Sequence, residues 1–370
     1  MSAPRVVLAG AHGHGRGYLD QLAKLHATGR VRFVGVADPR PLCIEERAVA
    51  GDAAWCPDAV TLFEATAPDL VVLSTPVHTH VALAEAAMRA GAHLLLEKPA
   101  APTLAGLDRL LTLQRETGRT VQVGFQAFGS GAVSELRRRV NARELGEIRA
   151  IGATGLWWRG EAYWNRAGWA GRRCLDGHDV NDGALTNPFA HAVALAITVD
   201  GSGGDQPVQR VELDTYRTRA VEAHDTGSAR VRTARGTLAT IAVSLCAEPE
   251  AEPVVTVYGT RDSAELRYTE DLLVTAGGVT RHARTDLLEN LIGHLADPRV
   301  ALLVPLADTL GFTQVAEAVR HSPAPAEVDQ AELGDLGELT RRAAATGHLY
   351  RELGAGWARA DPFTWTPEGA

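Results

Sequence analysis

The first 126 residues alternate short apolar segments with amphipathic ones, and this alternation constrains the fold more than any other feature. The apolar segments occupy 5–10, 31–38, 69–75, 92–99 and 121–126. Such continuous apolar runs are typical of strands that are buried on both faces. The segments between them have helical periodicity, and Gly91 ends the strongest one. Repeated βα units of this kind predict an α/β fold with a doubly wound parallel sheet.

From about residue 145 the pattern changes to consecutive strand-like segments joined by short turns, with one helix-like stretch at 187–201. This pattern predicts an α+β domain built on a mostly antiparallel sheet. A chain of 370 residues exceeds one average core. We therefore expect two domains, 1–126 and 127–370. Later helices around 283–297 and 306–321 are expected to return toward the first domain, and a further C-terminal helix follows residue 331.

Composition excludes several classes of function. The formal charge of −8 argues against nucleic-acid and anionic-membrane partners, which require a basic face. Four cysteines without regular spacing indicate reduced thiols rather than a disulfide framework or a zinc site. The N-terminus has no signal-peptide pattern, and no stretch of 18 apolar residues occurs, so a cytoplasmic protein is expected. His178, Asp179, Asp182 and His191 match no metal-binding spacing, and we expect no metal site.

The sequence GAHGHG (10–15) directly follows the first strand and opens a helix. Glycines in this position let the backbone approach a pyrophosphate at the helix N-terminus. Gly10 and Gly15 fit the GxGxxG pattern, His12 takes the middle position, and Gly13 is expected to compensate in part. A glycine-rich turn without a ligand is the alternative interpretation of this loop taken alone.

Asp38 ends the second strand, where a carboxylate can accept hydrogen bonds from the adenosine ribose hydroxyls of NAD. Arg40 follows two residues later and could instead contact a 2′-phosphate, so NADP remains open. Other unusual residues also fall at carboxyl ends of strands, where ligands bind in parallel sheets. They are Ser74 to Pro76, Glu97 to Pro99, and Gln126.

Five motifs occur in the order seen in one protein family: GAHGHG, VADPRP, STPVHTH, LLLEKPAA and VGFQ. In this respect residues 5 to 325 resemble the Gfo/Idh/MocA family of NAD(P)-dependent oxidoreductases. The resemblance implies a Rossmann domain followed by a domain with a large open sheet. It also implies NAD or NADP as cofactor, a homodimer or homotetramer, and a sugar, inositol or related polyol as substrate.

The resemblance assigns Lys98, in the EKP motif, a contact with both the cofactor and the substrate hydroxyl. An ammonium there stabilises alkoxide character during hydride removal. Glu97 would hold the lysine or the local backbone, and Pro99 would fix the turn, with a cis peptide as one option. A solvated Glu–Lys pair at a strand end is the alternative. The residues expected to line the cofactor are Gly10, His12, Gly13, Gly15, Asp38, Arg40, Ser74, Thr75, Pro76, His80, Glu97 and Lys98.

The segment GALTNPFAHAVAL (183–195) resembles a second family signature. The resemblance implies that His191 is the general base or a group that orients the substrate. The spacing i, i+4 predicts that residues 187 and 191 share a helix face. Position 187 is Asn where many family members carry Asp, and an amide cannot take a proton. Either His191 acts alone, or Asp182 or Asp179 supplies the carboxylate. The residues expected to contact the substrate are Asn187, Asp182, Gln126, Trp158, Trp164 and Arg166.

Residues 157–169 hold four of the seven tryptophans. Their flat faces could stack on sugar rings, although such density is as typical of an interface or a core. Arg172 and Arg173 could favour an anionic sugar. The sequence thus predicts a dehydrogenase or reductase of carbohydrate-like alcohols. Two alternatives stay open: redox-neutral sugar chemistry (elimination or glycoside cleavage) with retained NAD, and a catalytically silent nicotinamide-binding sensor or scaffold.

Overall fold

The computed structural model describes residues 3–202, 208–359 and 361–367. Two compact units are present. The first comprises the chain up to residue 125 together with 287–306, and the second comprises 126–286 together with the chain from 307 onwards. Helices in the described segments all lack the length and apolar character that crossing a bilayer requires.

The first unit contains six strands and six helices among its described residues. The strands, numbered in chain order, are β1 (Arg5–Ala9), β2 (Arg32–Ala37), β3 (Ala54–Cys56), β4 (Leu70–Leu73), β5 (His93–Leu96) and β6 (Val121–Val123). The helices are α1 (Gly15–Ala27), α2 (Ile44–Ala50), α3 (Ala59–Thr66), α4 (His80–Arg89), α5 (Leu104–Thr117) and α9 (Leu287–Ala296).

The strands form one parallel sheet in the order β3-β2-β1-β4-β5-β6. The predicted Rossmann sheet is confirmed, and its strands β1, β4 and β5 are almost completely buried because helices cover both faces. Strand β3 was not predicted, since a segment of three residues is too short to show a periodic pattern. The strand order reverses between β1 and β4, which is where such sheets bind ligands.

The segment 287–306 belongs to the first unit, whereas the predicted boundary placed all of 127–370 in the second. The fully buried side chain of Gln122 explains this return. Its amide donates to the carbonyl oxygen of Leu287 and accepts from the backbone N–H groups of Leu303 and Val304. Val123 also donates to the Val304 carbonyl. These bonds cover the free edge of β6, which would otherwise expose unpaired backbone groups.

The second unit contains the remaining elements. Its strands are β7 (Ile148–Trp158), β8 (Cys174–Leu175), β9 (His178–Asp179), β10 (Arg210–Arg217), β11 (Thr226–Arg232), β12 (Leu238–Ser244), β13 (Cys246–Gly259), β14 (Ser263–Arg267), β15 (Leu272–Thr275), β16 (Gly278–Arg281), β17 (Ala326–Glu327) and β18 (Phe363–Trp365). Its helices are α6 (Gly131–Asn141), α7 (Glu161–Trp164), α8 (Ala190–Thr198), α10 (Leu310–His321) and α11 (Leu336–Thr346).

Ten of these strands form one sheet, with nine in the order β16-β15-β14-β13-β7-β12-β11-β10-β17 and β18 paired to β10. Most pairs are antiparallel, and β7–β12 and β10–β17 are parallel. The predicted large, mostly antiparallel sheet is therefore confirmed. Helices α8 and α11 pack on its central strands β7 and β12. Apart from this sheet, β8 and β9 form a short two-stranded ribbon.

Candidate active-site residues in the two units

The loop 10–15 lies at the point where the strand order of the first sheet reverses. Gly10 has φ +86°, and a Cβ there would lie 2.3 Å from the carbonyl oxygen of Ser74. Gly13 also has a left-handed φ, of +64°. At Gly15, the first residue of α1, a Cβ would lie 1.8 Å from the Gly10 carbonyl oxygen. Glycine is therefore required at both ends of the loop, which packs tightly against the neighbouring strand end.

The N-terminus of α1 can accept an anion. In the described residues of its first turn no side chain is acidic, and the N-cap residue His14 makes no side-chain capping hydrogen bond. The first N–H groups of a helix have no partner within the helix and carry a partial positive charge. These groups, together with the close-packed glycine loop, fit the pyrophosphate of a dinucleotide.

Asp38 directly follows β2 and is buried. Its Oδ2 atom accepts the backbone N–H of Ala11 at 2.9 Å, and its Oδ1 atom accepts that of Arg40 at 2.9 Å. The His12 ring fits between two carboxylates, with Nδ1 2.9 Å from Asp38 and Nε2 3.4 Å from Glu46. The residue that breaks the glycine pattern thus contacts the acid expected to hold the ribose. The Arg40 side chain is 72% exposed.

The Asp38 carboxylate is held in its ionised form. Burial raises its pKa, but hydrogen bonds from the His12 ring and from the backbone N–H groups of Arg40 and Ala11 outweigh burial, so the pKa lies below its ordinary value. Each carboxylate oxygen can accept two hydrogen bonds. Oδ1 accepts one from the described chain, which leaves it able to accept a ribose hydroxyl.

Residues 74–76 form the loop after β4. Ser74 continues the β1–β4 pairing through its N–H bond to Ala9, and Pro76 precedes a 3₁₀ turn, Val77–Thr79. His80 is only 1% exposed, and its ring nitrogens lie 2.9 Å from the Pro99 carbonyl and 2.8 Å from the Thr75 carbonyl. Its ring therefore ties the loops after β4 and β5 together. Burial lowers the pKa of His80, and the two carbonyl contacts only partly offset this effect.

Glu97 is the buried carboxylate of the EKP motif, with 7% of the residue exposed. Its Oε1 atom accepts the Tyr18 hydroxyl at 2.6 Å, and its Oε2 atom accepts the backbone N–H of Lys98 at 3.1 Å. The His14 ring lies 3.3 Å away. A Cβ at Gly124 would come within 2.6 Å of Oε1, so that glycine provides space for the carboxylate. Glu97 thus holds the backbone of half-buried Lys98, whose peptide bond to Pro99 is cis.

Glu97 and His14 form an ion pair. Burial raises the pKa of Glu97, but the His14 and Tyr18 hydrogen bonds outweigh it, so the pKa lies below the ordinary value. The same hydrogen bond, which His14 donates to Glu97, raises the pKa of His14, although burial and nearby Lys98 act in the opposite direction. Neither Tyr18 nor His14 was predicted as a partner of Glu97, because Tyr18 on α1 and His14 at its N-cap are far from Glu97 in sequence.

This pair predicts a pH-dependent contribution to stability. Protonated His14 binds Glu97 in the folded state, and a raised folded pKa means that this stabilisation is complete below the unfolded pKa near 6.5. It is lost as the pH rises through the folded pKa. We therefore expect His14→Gln to lower the free energy of unfolding, relative to the wild type, by more at pH 6 than at pH 8.5. Urea denaturation at both pH values, with His348→Gln as control, measures the difference, and equal losses would contradict it.

In the second unit, the carboxylate of Asp182 is the centre of a polar cluster. Its side chain is 2% exposed, and its Oδ1 and Oδ2 atoms accept hydrogen bonds from Nη2 of Arg166 at 2.9 and 2.7 Å. It also accepts the backbone N–H of Gly171 at 2.8 Å and the side-chain amide of Asn187 at 2.5 Å. These four contacts fill the acceptor sites of a carboxylate. Asp182 is thus a holder of Asn187 and Arg166, and it is poorly suited to accept a proton.

His191 and Asn187 lie near the start of α8 but not on one helix face. The helix begins at Ala190, and Asn187 lies in the preceding turns. Pro188 explains the difference, because the residue before a proline avoids the helical conformation. The half-buried His191 ring has its centre 6.4 Å from that of Tyr268. Asp179, the other candidate carboxylate, lies on β9 with an oxygen 3.9 Å from Arg320.

Arginine guanidinium groups lie over several aromatic rings of segment 157–169. The Arg166 guanidinium lies 3.7 Å from the Tyr163 ring centre and 4.6 Å from that of Trp169. The guanidinium of Arg219, which was not predicted, lies 5.0 Å from the Trp158 ring centre. Trp164 is buried and donates its indole N–H to a carbonyl oxygen. The cluster is therefore built from cation–π contacts, which no sequence spacing indicates.

Gln126 begins a 3₁₀ turn, Gln126–Gly129, and its carbonyl oxygen accepts a hydrogen bond from Arg284. Within the described residues, no three His, Cys, Asp or Glu side chains are arranged to hold a metal ion. The four cysteines are present as free thiols.

Comparisons with known proteins agree with this architecture. A family model described as the oxidoreductase family with an NAD-binding Rossmann fold matches residues 5–125, and the GFO/IDH/MocA C-terminal domain model matches residues 133–265. The chain belongs to the Gfo/Idh/MocA family.

Curated relatives of this family match only parts of the chain. One is dTDP-3,4-didehydro-2,6-dideoxy-alpha-D-glucose 3-reductase of Streptomyces violaceoruber, 36% identical over 25% of this chain and 27% of that protein. Another is inositol 2-dehydrogenase 4 of Saccharopolyspora erythraea, 38% identical over 31% of this chain and 34% of that protein. The matched regions thus span about a third of these relatives or less.

Solved structures match over most of the fold. The WlbA dehydrogenase of Bordetella pertussis, in complex with NADH and UDP-GlcNAcA, gives a TM-score of 0.70 at 21% identity, covering 85% of this chain and 94% of that one. An oxidoreductase of Thermotoga maritima gives 0.73 at 17% identity, covering 86% and 96%. At this identity the likeness shows a shared fold.

Proposed function

We propose that this protein is an NAD(P)-dependent oxidoreductase that transfers a hydride between the nicotinamide and a hydroxyl-bearing carbon of a sugar, inositol or related polyol. The observation that carries the proposal is the strand-end arrangement in the first unit. There an uncapped helix N-terminus and close-packed glycines accompany a lysine whose backbone is held by a buried carboxylate. Family membership and the names of the curated relatives support the same class of reaction.

The bound nicotinamide would accept the hydride in oxidation and return it in reduction. Lys98 donates a hydrogen bond to the reacting oxygen and stabilises its developing negative charge. His191 accepts the hydroxyl proton, because Asn187 cannot and Asp182 has its acceptor sites filled. Asn187 positions the substrate, and its amide orientation is fixed by the bond to Asp182.

We also propose NAD rather than NADP as the preferred cofactor. Two carboxylates, Asp38 and Glu46, lie within contact distance of the His12 ring. The pKa of each lies below its ordinary value. For Asp38 the cause is the set of hydrogen bonds described above, and for Glu46 it is chiefly the hydrogen bond from the backbone N–H of Cys43. A 2′-phosphate near them would meet like charge. The Arg40 side chain is mostly exposed and lies 4.0 Å from Asp38, which favours solvation over phosphate binding.

The test follows absorbance at 340 nm as purified protein meets a panel of sugars, inositols and sugar acids with NAD⁺ and NADP⁺ in turn. We expect a rise with at least one polyol, and a higher kcat/KM with NAD⁺ than with NADP⁺. If cofactor binds and no substrate gives a rise, the proposal is wrong. Retained, co-purifying NAD with a changed sugar product would then indicate redox-neutral chemistry, and binding without any product would indicate a sensor.

A further inference from the structure

His12 is the residue of loop 10–15 that departs from the glycine pattern, and its ring lies between two carboxylates. Its Nδ1 atom is 2.9 Å from Oδ2 of Asp38, and its Nε2 atom is 3.4 Å from Oε2 of Glu46. The ring is 18% exposed, and the two carboxylate side chains are 8% and 11% exposed. A charge on this ring therefore acts at close range on the acid expected to hold the ribose.

Both carboxylates are held in place by backbone hydrogen bonds. Asp38 accepts the N–H groups of Ala11 and Arg40. Glu46 accepts the N–H of Cys43 at 2.9 Å, as part of the capping box of α2. The pKa of each acid lies below its ordinary value for the reasons given above, so both acids stay ionised between pH 6 and pH 8. Histidine is the side chain type that changes its charge in that range.

Two arginines also contact these acids. Arg16 on α1 lies 3.6 Å from Glu46, and the mostly exposed Arg40 lies 4.0 Å from Asp38. An arginine keeps its charge throughout the pH range in which proteins are studied. The two cations therefore offset the acids equally at pH 6 and at pH 8, and a proton on His12 adds one further positive charge, nearer to Asp38 than Arg40 is.

Two further titratable groups lie close to this set. The His14 ring faces Glu97, 3.3 Å away, in the ion pair described above. The Cys43 thiol accepts the N–H of Glu46, which lowers its pKa, but contacts with the Glu45 and Glu46 carboxylates outweigh that effect and the pKa is raised. The thiol therefore stays uncharged at pH 8, and any effect of the other histidine is unchanged by a substitution at position 12.

The charge of this ring matters for the difference between the two dinucleotides. A ribose held by the acid after β2 has its 2′ position beside that carboxylate, and NADP carries a phosphate there. A proton on His12, 2.9 Å from Asp38, weakens the like-charge repulsion that disfavours the phosphate. NAD carries no charge at its 2′ position, so its affinity depends less on this proton.

We propose that His12 determines cofactor specificity through its charge: when its ring is protonated, the site discriminates less against the 2′-phosphate of NADP. This inference rests on the proposed function, which assumes a nicotinamide dinucleotide at the strand ends of the first unit. It turns the proposed preference for NAD into a preference that depends on pH. Linkage also requires the converse, so that bound NADP favours the protonated ring. A glycine in this position, as in the GxGxxG pattern, would give no such dependence.

Isothermal titration calorimetry with NAD⁺ and NADP⁺ at pH 6 and pH 8, at constant salt, tests the proposal. The measured quantity is the ratio of Kd for NADP⁺ to Kd for NAD⁺. We expect this ratio to fall from pH 8 to pH 6 by about fivefold more in the wild type than in His12→Gln, the effect of two unit charges about 4 Å apart in water. Part of the fall should remain in the variant, because a phosphate monoester itself takes up a proton near pH 6.

His26→Gln is the matched control, since His26 is exposed in the last turn of α1, and its ratios should equal those of the wild type. His12→Gly is the second variant. It restores the glycine of the pattern and should behave as His12→Gln does, even if the glutamine variant folds poorly, which thermal midpoints check. The same pH dependence in the wild type and in the His12 variants would overturn this inference alone. Binding of neither dinucleotide to the wild type would overturn the proposed function, and this inference with it.

Discussion

Replacing Lys98 by Met should lower kcat/KM for the best polyol substrate by about 10³-fold, while Kd for the nicotinamide cofactor changes by less than about tenfold. The expected size follows from losing a charged hydrogen-bond donor aimed at a developing alkoxide, an effect of about 10²–10³ in characterised enzymes. Met keeps the apolar stem and removes the ammonium. Steady-state kinetics at 340 nm and fluorescence titration with NADH measure the two quantities.

The chain offers a matched control because it contains only two lysines, Lys24 and Lys98, among its 37 basic residues. Lys24 lies in the last turn of α1, so Lys24→Met should leave both quantities unchanged. Lys98→Arg is the stricter variant. A guanidinium keeps the charge but has a different shape and cannot be deprotonated, so we expect it to recover little of the lost rate. Wild-type kcat/KM in Lys98→Met would remove the lysine from the mechanism, and wild-type kcat/KM in Lys98→Arg would show that any cation at this position suffices.

The local hydrophobic pattern was enough to predict the parallel sheet of the first unit. Short buried runs that end in Gly10, Asp38, Ser74 and Glu97 placed the unusual residues at the carboxyl edge of a parallel sheet, and the structure has them at strand ends. The partners of Glu97 could not be predicted in this way. Tyr18 contacts Glu97 from α1, His14 from the N-cap of that helix, and Gly124 from the residue after β6. Their contacts depend on how helix and strand pack, which periodicity does not specify.

The polar cluster of the second unit shows a different limit of prediction from the sequence. The sequence left His191, Asp182 and Asp179 open as proton acceptors, because residue types alone do not tell which lone pairs are occupied. Only the contacts from Arg166, Gly171 and Asn187 fill those of Asp182. The aromatic segment was ambiguous for the same reason. A tryptophan face is available to a sugar only where no guanidinium lies over it, as Arg219 lies over Trp158.

Gly15→Ala should reduce the free energy of unfolding by about 3 kcal/mol and weaken NADH binding by more than tenfold. The added Cβ would lie 1.8 Å from the Gly10 carbonyl oxygen and 2.8 Å from its carbon, both backbone atoms that cannot move aside as a side chain can. Overpacking of this kind typically costs about 1–3 kcal/mol and sometimes more. The overlap can be relieved only if loop 10–15 moves away from the end of β1. Urea denaturation and NADH titration measure the two effects.

Gly17→Ala, two residues further along α1, isolates the cause. A Cβ at Gly17 meets nothing within 4 Å, and alanine is favoured over glycine within a helix by about 1 kcal/mol. The same substitution should therefore leave stability unchanged or increase it slightly. Opposite signs at two glycines of one helix turn would show that the backbone contact between Gly15 and Gly10, rather than helix propensity, fixes the glycine. Equal losses in both variants would instead indicate that the N-terminal turn of α1 tolerates no added side chain, and the close-packed loop would lose its explanation.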